Sequence, residues 1–273
     1  MIASVSTPQL EQTDTRFAPI SASLRAIFGT DQVGGLVPGL VVDDDRGWIP
    51  ATHLIEGPLL ATLLKTVEER WQAAPHVAAA LTWKLYAYWL ALPAALGWAS
   101  ARRVPLATPE DVLLSLDGEL SVITLGFRRS IRVATLPTDP LALAHPSEVL
   151  VVADDAELLR VFRDSLLDQH IAPLVEATRR LVRIGPRTLL GALASGIAYG
   201  LIYAADVLPG SIQQTITTLL TALGVEDLVE LVPGPDGTLT VQRRTCCLAF
   251  TLPEPKVCPG CCVKKAADRA AIA

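Results

Sequence analysis

The cysteines are the residues whose type and spacing point most directly to chemistry. All five lie between Cys246 and Cys262, and no cysteine precedes them. Cys246 and Cys247 are adjacent, ten residues follow, and a Cys-Pro-Gly-Cys sequence then runs from Cys258 to Cys261. Grouped thiols in a reducing compartment indicate a metal centre before disulfides, because cytoplasmic thiols stay reduced.

Two kinds of metal centre fit this spacing. Four thiolates suit a structural Zn(II), and Cys-Pro-Gly-Cys makes a good zinc knuckle. Neighbouring side chains on a strand point to opposite faces, however, so Cys246 and Cys247 do not readily bind one tetrahedral ion. A two-iron cluster shares four thiolates between two metals, and the spacing therefore favours iron–sulfur over zinc. Disulfides and a thioredoxin-type redox pair fit less well, since one thiol is left over and no βαβ pattern surrounds the motif.

A longer match around these cysteines identifies a family resemblance. Residues 243–250 read Arg-Arg-Thr-Cys-Cys-Leu-Ala-Phe, and Cys258-Pro-Gly-Cys261 follows. This resembles the C-terminal signature of the siderophore-iron reductases of the ferric hydroxamate reductase (FhuF) family, Cys-Cys-x10-Cys-x2-Cys, whose cysteines hold a [2Fe–2S] cluster. The resemblance implies four ligands and leaves Cys262 outside the pattern. The implied ligands are Cys246, Cys247, Cys258 and Cys261.

The resemblance also implies a function. A ferric siderophore reductase transfers one electron to siderophore-bound Fe(III) and releases the more weakly held Fe(II). The implied substrate is a ferric siderophore, of hydroxamate type, and the motif itself covers only the tail of the chain. An external ferredoxin or flavoprotein reductase is expected as the electron donor, because the sequence has no dinucleotide or P-loop motif. Two other functions stay open: a zinc-stabilised binding or scaffold protein, and an iron–sulfur sensor or electron shuttle without a small-molecule substrate.

Basic residues flank the cysteines, in a chain whose net charge is −5. Cations beside an anionic cluster favour its reduced state, so Arg243, Arg244 and Lys256 are expected to raise its potential. An ordinary solvated basic tail is an equal alternative.

Composition excludes several other classes of protein. The chain has 273 residues, of which 51 % are hydrophobic and 19 % charged, so it can bury a large core. Its negative charge argues against nucleic acid as a partner. The first residues lack a secretory signal, so we expect a cytoplasmic protein. Two uncharged runs, 85–101 and 188–205, are marginal in length for membrane spans and predict buried core helices, with at most peripheral membrane association.

Hydrophobic spacing predicts a mainly α (α+β) fold with two small β hairpins, the second of which presents the iron–sulfur module. Residues 30–47 are predicted to form a loop, and Pro93 is predicted to kink or break a helix that begins at Pro75. Helices are predicted over 17–28, 58–71, 154–183 (as two helices), 188–205 and 211–223, and hairpins over 119–135 and 228–242. We expect a helical siderophore-binding body over residues 1–225 and a hairpin and [2Fe–2S] module over residues 226–273.

Three further groups of residues are weaker candidates for binding: an arginine stripe, a histidine–carboxylate pair and an aromatic set. They are Arg179, Arg183 and Arg187; His53 and Glu56; and Trp83, Tyr86, Trp89 and Trp98. In each group the commoner structural role is favoured. The arginines are expected on a solvated face, the histidine and glutamate in a surface loop, and the aromatic residues in a core stripe.

Overall fold

The fold is mainly helical, as the sequence predicts, with small sheets beside the helices. The structure is a computed structural model and describes residues 14–30, 32–116, 122–234, 238–258 and 260–263. The helices are α1 (Ala18–Phe28), α2 (Thr52–Glu56), α3 (Leu59–Trp71), α4 (Pro75–Ala101), α5 (Pro140–Ala144), α6 (Asp155–Arg163), α7 (Ala172–Leu181), α8 (Pro186–Tyr203) and α9 (Ile212–Leu223). The strands are β1 (Leu36–Val42), β2 (Ile49–Pro50), β3 (Arg103–Pro105), β4 (Val112–Ser115), β5 (Thr124–Arg128), β6 (Val133–Thr135), β7 (Val149–Val151), β8 (Val229–Pro233) and β9 (Leu239–Arg243).

The two long apolar helices, α4 and α8, form the centre of the core. They approach closely because α8 has glycine where α4 is bulky: a methyl group on Gly200 would overlap the Leu92 side chain. The indole Nε1 of Trp83 donates a 2.7 Å hydrogen bond to the Leu189 carbonyl across the interface. The prediction that both uncharged runs are buried helices is confirmed. Within the described ranges, none of the helices combines the length and apolar character that crossing a membrane requires.

Of the predicted kink or break at Pro93, the break is wrong, because α4 runs as one helix from Pro75 to Ala101. Pro93 and its neighbours on both sides are buried in the core. This burial on both sides of the proline offsets the backbone hydrogen bond that proline cannot donate.

The first predicted hairpin is also wrong. Strand β5 is antiparallel to β4 and parallel to β1. Strand β6 belongs to a different sheet, in which it lies between β3 and β7. Part of the predicted first strand, residues 119–121, lies outside the described residues. The stretch 30–47, predicted to be a loop, contains β1, whose partner β5 lies far away in sequence. Alternating hydrophobicity indicates a strand but does not identify its partner.

Residues 155–181 form one helical segment rather than two helices, since a π-helical stretch, Asp164–Ile171, joins α6 to α7. Its start is capped as predicted: the Asp154 carboxylate accepts a hydrogen bond from the Glu157 N–H at 2.8 Å. The π-helical stretch buries His170 completely. The Ala107 carbonyl can only accept, so His170 Nδ1 donates to it at 2.7 Å, and Nε2 accepts from the Tyr86 hydroxyl at 2.6 Å.

The second predicted hairpin is confirmed. Strands β8 and β9 pair in antiparallel register from Val229 opposite Arg243 to Pro233 opposite Leu239. Strand β9 packs against α8 and leads directly into the cysteines. The proposed boundary between a body and a C-terminal module at residue 225 stays a prediction.

Candidate functional site

The chain reverses after β9 so that both cysteine pairs come to the end of that strand. A short 3₁₀ turn, Ala249–Thr251, follows the first pair, and the chain returns to place Gly260 beside β9. The Gly260 carbonyl accepts hydrogen bonds from the Arg243 N–H at 2.9 Å and from Gln242 Nε2 at 3.2 Å. The structure therefore brings the two predicted ligand segments together.

Two glycines, Gly191 in α8 and Gly260 between the cysteines, allow the close packing around this site. A side chain at Gly260 would overlap the Val241 carbonyl and crowd the Tyr199 hydroxyl, which itself donates to Val241 O at 3.2 Å. A side chain at Gly191 would overlap the Thr245 hydroxyl. Only glycine lets the cysteine segments lie this close to the hairpin and to α8.

The thiols interact directly with one another. Cys247 and Cys258 share a hydrogen bond, which lowers the pKa of Cys247 and raises the pKa of Cys258. The charges of Arg243 and Lys84 also lower the pKa of Cys247. Burial raises the pKa of Cys246, and the nearby thiols of Cys247, Cys261 and Cys262 add to that shift. The site is thus built to hold negative charge on sulfur at Cys247.

The thiols do not converge on a single point. Among the described residues, no three histidine, cysteine or acidic side chains are placed to hold one metal ion. The direct contact is between Cys247 and Cys258, and Cys246 instead accepts a hydrogen bond from the Leu248 N–H at 3.3 Å.

Buried polar groups without partners surround the cysteines. Arg243 is only 2 % exposed, yet its Nε and Nη2 have no hydrogen-bond partner. The hydroxyl of Thr245, the residue before Cys246, is buried and unpartnered as well. Buried donors are normally satisfied, so this set of donors indicates that an acceptor or an anion belongs here.

Two cavities adjoin the site. An open groove of about 590 Å³ has Cys247 and Cys258 in its wall, together with Arg70, Lys84 and Lys256. A smaller cavity of about 320 Å³ shares Lys84 and Cys258 with the groove and is lined mainly by α4 and α8. This cavity was not predicted from the sequence. The signal available was Tyr199 and Tyr203 in the same helix as the small residues Gly196 and Gly200, a pattern that indicates an aromatic wall with space beside it.

The weaker candidates only partly take the structural roles that the sequence favours, since His53 and Glu56 are exposed but lie in helix α2 rather than in a loop. Helix α7 ends before Arg183, so no continuous stripe forms, and Arg179 and Arg187 pair with Glu176 and Asp227. His53 and Glu56 belong to no metal-binding group among the described residues. The aromatic set is divided: Trp83, Tyr86 and Trp98 are buried in the core, whereas Trp89 lines the smaller cavity.

Comparison with known proteins finds no matching family model and no matching curated protein. Among solved structures, the chain resembles aerobactin synthetase IucA from a hypervirulent pathotype of Klebsiella pneumoniae, with 19 % identity over 72 % of this chain and a TM-score of 0.48. A structure of the same synthetase with ATP bound matches with 20 % identity over 72 % of the chain and a TM-score of 0.49. The chain spans 37 % and 36 % of those two chains. Likenesses this weak support no conclusion about activity.

The prediction of a ferric siderophore reductase is contradicted. Both structures named above are of a synthetase rather than of a reductase. The one-electron reduction of ferric siderophores is therefore withdrawn as the function.

Proposed function

We propose that the chain is a cofactor-binding protein whose Cys246, Cys247, Cys258 and Cys261 hold an anionic metal–thiolate centre, a [2Fe–2S] cluster. The observation that carries the proposal is the buried, unpartnered guanidinium of Arg243 beside these cysteines. Buried donors without hydrogen-bond partners are costly, and an anionic centre within reach supplies the acceptors that Nε and Nη2 of Arg243 lack.

The donor set suits this cofactor. Four thiolates from two short segments are the ligands that two-iron clusters use, and the thiols already influence one another electrostatically. A bound cluster supplies a one-electron couple whose potential depends on nearby charge and hydrogen bonds. The chain's own contribution is the Arg243 charge, the Thr245 hydroxyl and the support of α8 beneath both segments.

The choice of two irons over one zinc rests on the adjacency of Cys246 and Cys247 in the chain. A tetrahedral zinc site needs all four sulfurs on one centre. Two bridged irons share the four thiolates, so the two adjacent cysteines do not have to meet the other pair at a single ion.

Metal and sulfide analysis of anaerobically reconstituted protein tests the proposal. We expect two irons and two sulfides per chain, with the visible absorption of a [2Fe–2S] cluster. Single Cys→Ser changes at positions 246, 247, 258 and 261 should abolish or strongly disturb that spectrum. The matched control is Cys262→Ser, which should leave it intact.

Each other result of this experiment is decisive. One zinc per chain without sulfide would replace the cluster by a structural zinc site. A protein that binds no metal with four intact cysteines would overturn the proposal. Loss of the cluster in Cys262→Ser alone would show that the ligand assignment is wrong.

A further inference from the structure

The smaller cavity is an aromatic slot between the two central helices. It has a volume of about 320 Å³ and four aromatic rings in its wall. On α4, Tyr88 and Trp89 meet edge to face with their centroids 4.7 Å apart, and on α8, Tyr199 and Tyr203 lie nearly parallel at 6.3 Å. This volume is near the lower end for small-molecule sites, and aromatic walls favour a planar ring as the ligand.

Two cationic side chains, Lys84 and Arg243, line the slot. The Cys258 sulfur also lines it, and no carboxylate does so among the described residues. The nitrogens Nε and Nη2 of Arg243 form one edge of the guanidinium, and both lack a hydrogen-bond partner. Burial raises the pKa of Tyr88 to about 12, so its hydroxyl is uncharged at neutral pH. A ligand in this slot therefore meets positive charge and neutral aromatic surface.

We propose that this slot binds a small aromatic carboxylate. Its ring lies against the tyrosine and tryptophan rings, and its carboxylate faces Lys84 and Arg243. Two parallel N–H donors on one edge of an arginine match the two oxygens of a carboxylate. A guanidinium has five N–H donors, enough for an acid in the slot and a metal–thiolate centre at the cysteines. The proposal does not depend on the cluster, because the aromatic walls and Lys84 exist without it.

Calorimetry and ligand-observed NMR with benzoate and naphthoate test the proposal. The comparison compounds are naphthamide, which has the rings without the charge, cyclohexanecarboxylate, which has the charge without an aromatic ring, and phenyl phosphate. We expect naphthoate to bind at least about tenfold more tightly than the amide or the cyclohexane acid. Amide binding equal to that of the acid, tighter binding of phenyl phosphate, or no binding of either aromatic acid would overturn the proposal.

Two pairs of variants locate the binding. Lys84→Met should weaken naphthoate binding about tenfold and Lys84→Arg should restore it, while Lys65→Met, on the exposed face of α3, should have no effect. Tyr203→Ala should weaken binding about tenfold and Tyr203→Phe should not. Tyr203 is 64 % exposed, so its removal should leave the fold intact. Unchanged affinity in both Lys84→Met and Tyr203→Ala would show that the acid binds elsewhere.

A cysteine variant separates this inference from the cluster. Cys246 does not line the slot, so Cys246→Ser should lose metal and still bind naphthoate. Acid binding that disappears together with the metal would mean that the slot is only a consequence of the metal centre and would overturn an independent acid site. A wild-type protein that binds the acid and never binds metal would overturn the cluster alone.

Discussion

At the scale of single residues, Arg243 has the most unusual environment near the cysteines. Its backbone N–H donates a hydrogen bond to the Gly260 carbonyl, and Arg243 is the last residue of β9. Its side chain is enclosed with two donors unpartnered, next to a thiol pair that shares one hydrogen bond. In the metal-free chain the two unpartnered nitrogens are a cost that the nearby Cys247 thiolate offsets in part, and with an anionic centre bound they gain partners.

This reversal predicts opposite effects of one substitution on the two forms. Arg243→Met removes the charge and keeps most of the volume, so the metal-free chain should be unchanged or more stable by about 1–3 kcal/mol. The same variant should hold less metal, because the thiolates lose their buried counter-charge. Denaturant unfolding with and without reconstitution measures both effects. A variant that is destabilised without metal and fully loaded with it would show that Arg243 has a packing role only.

At the scale of elements, α8 is the support on which the cysteine site rests. Its first half faces Thr245 at Gly191, and its second half reaches Val241 through the Tyr199 hydroxyl. The sequence of α8 reads as an ordinary apolar core helix, and the sequence analysis predicted its position nearly correctly. The supporting role was not predictable, because it depends on which residues of a distant hairpin meet the glycines.

Two alanine substitutions in α8 test this role. Gly191→Ala pushes the new methyl group into Thr245, next to Cys246, and should cost about 1–3 kcal/mol and reduce metal content. Gly196→Ala is the matched control, since its methyl group would lie 3.4 Å from Tyr88 in ordinary contact and alanine favours helix by up to about 1 kcal/mol. Thermal unfolding and metal analysis compare the two. Equal thermal stability and equal metal content in the two variants would show that Gly191 has no supporting role.

The other elements show where sequence reasoning succeeds. Helices with clear periodicity and local signals, such as the Asp154 cap, are predicted almost to the residue because their contacts are local. The second hairpin is predicted for the same reason, as its strands are neighbours in the chain. Strands β1 and β5 are missed or misassigned because they pair across a long stretch of sequence. Similarly, the grouping of the cysteines is visible in the sequence, and their role as ligands stays a prediction, whereas the aromatic slot requires helices from two parts of the chain.

At the scale of the whole molecule, His170 links distant parts of the fold. It lies in the π-helical stretch, accepts a hydrogen bond from Tyr86 on α4, and donates one to the Ala107 carbonyl in the segment between β3 and β4. The burial of His170 was not predicted from the sequence. A second ring proton would place a charge at a fully buried position and would force the Tyr86 hydroxyl to accept instead of donate.

The stability of the whole fold should therefore depend on pH through His170. Burial lowers its pKa from 6.5 to about 4 in the folded chain, so the unfolded chain binds a proton first as the pH falls. The stabilisation is complete above pH 6.5 and is lost progressively as the pH falls towards 4, by about 2 kcal/mol between pH 7 and pH 5. His170→Gln keeps a donor and an acceptor but does not titrate, and it should lack this part of the pH dependence. Denaturant unfolding of both proteins at pH 7, 6 and 5 gives the comparison, in which the other titrating groups are common to both. Parallel pH dependence in the two proteins would show that His170 is not the titrating group.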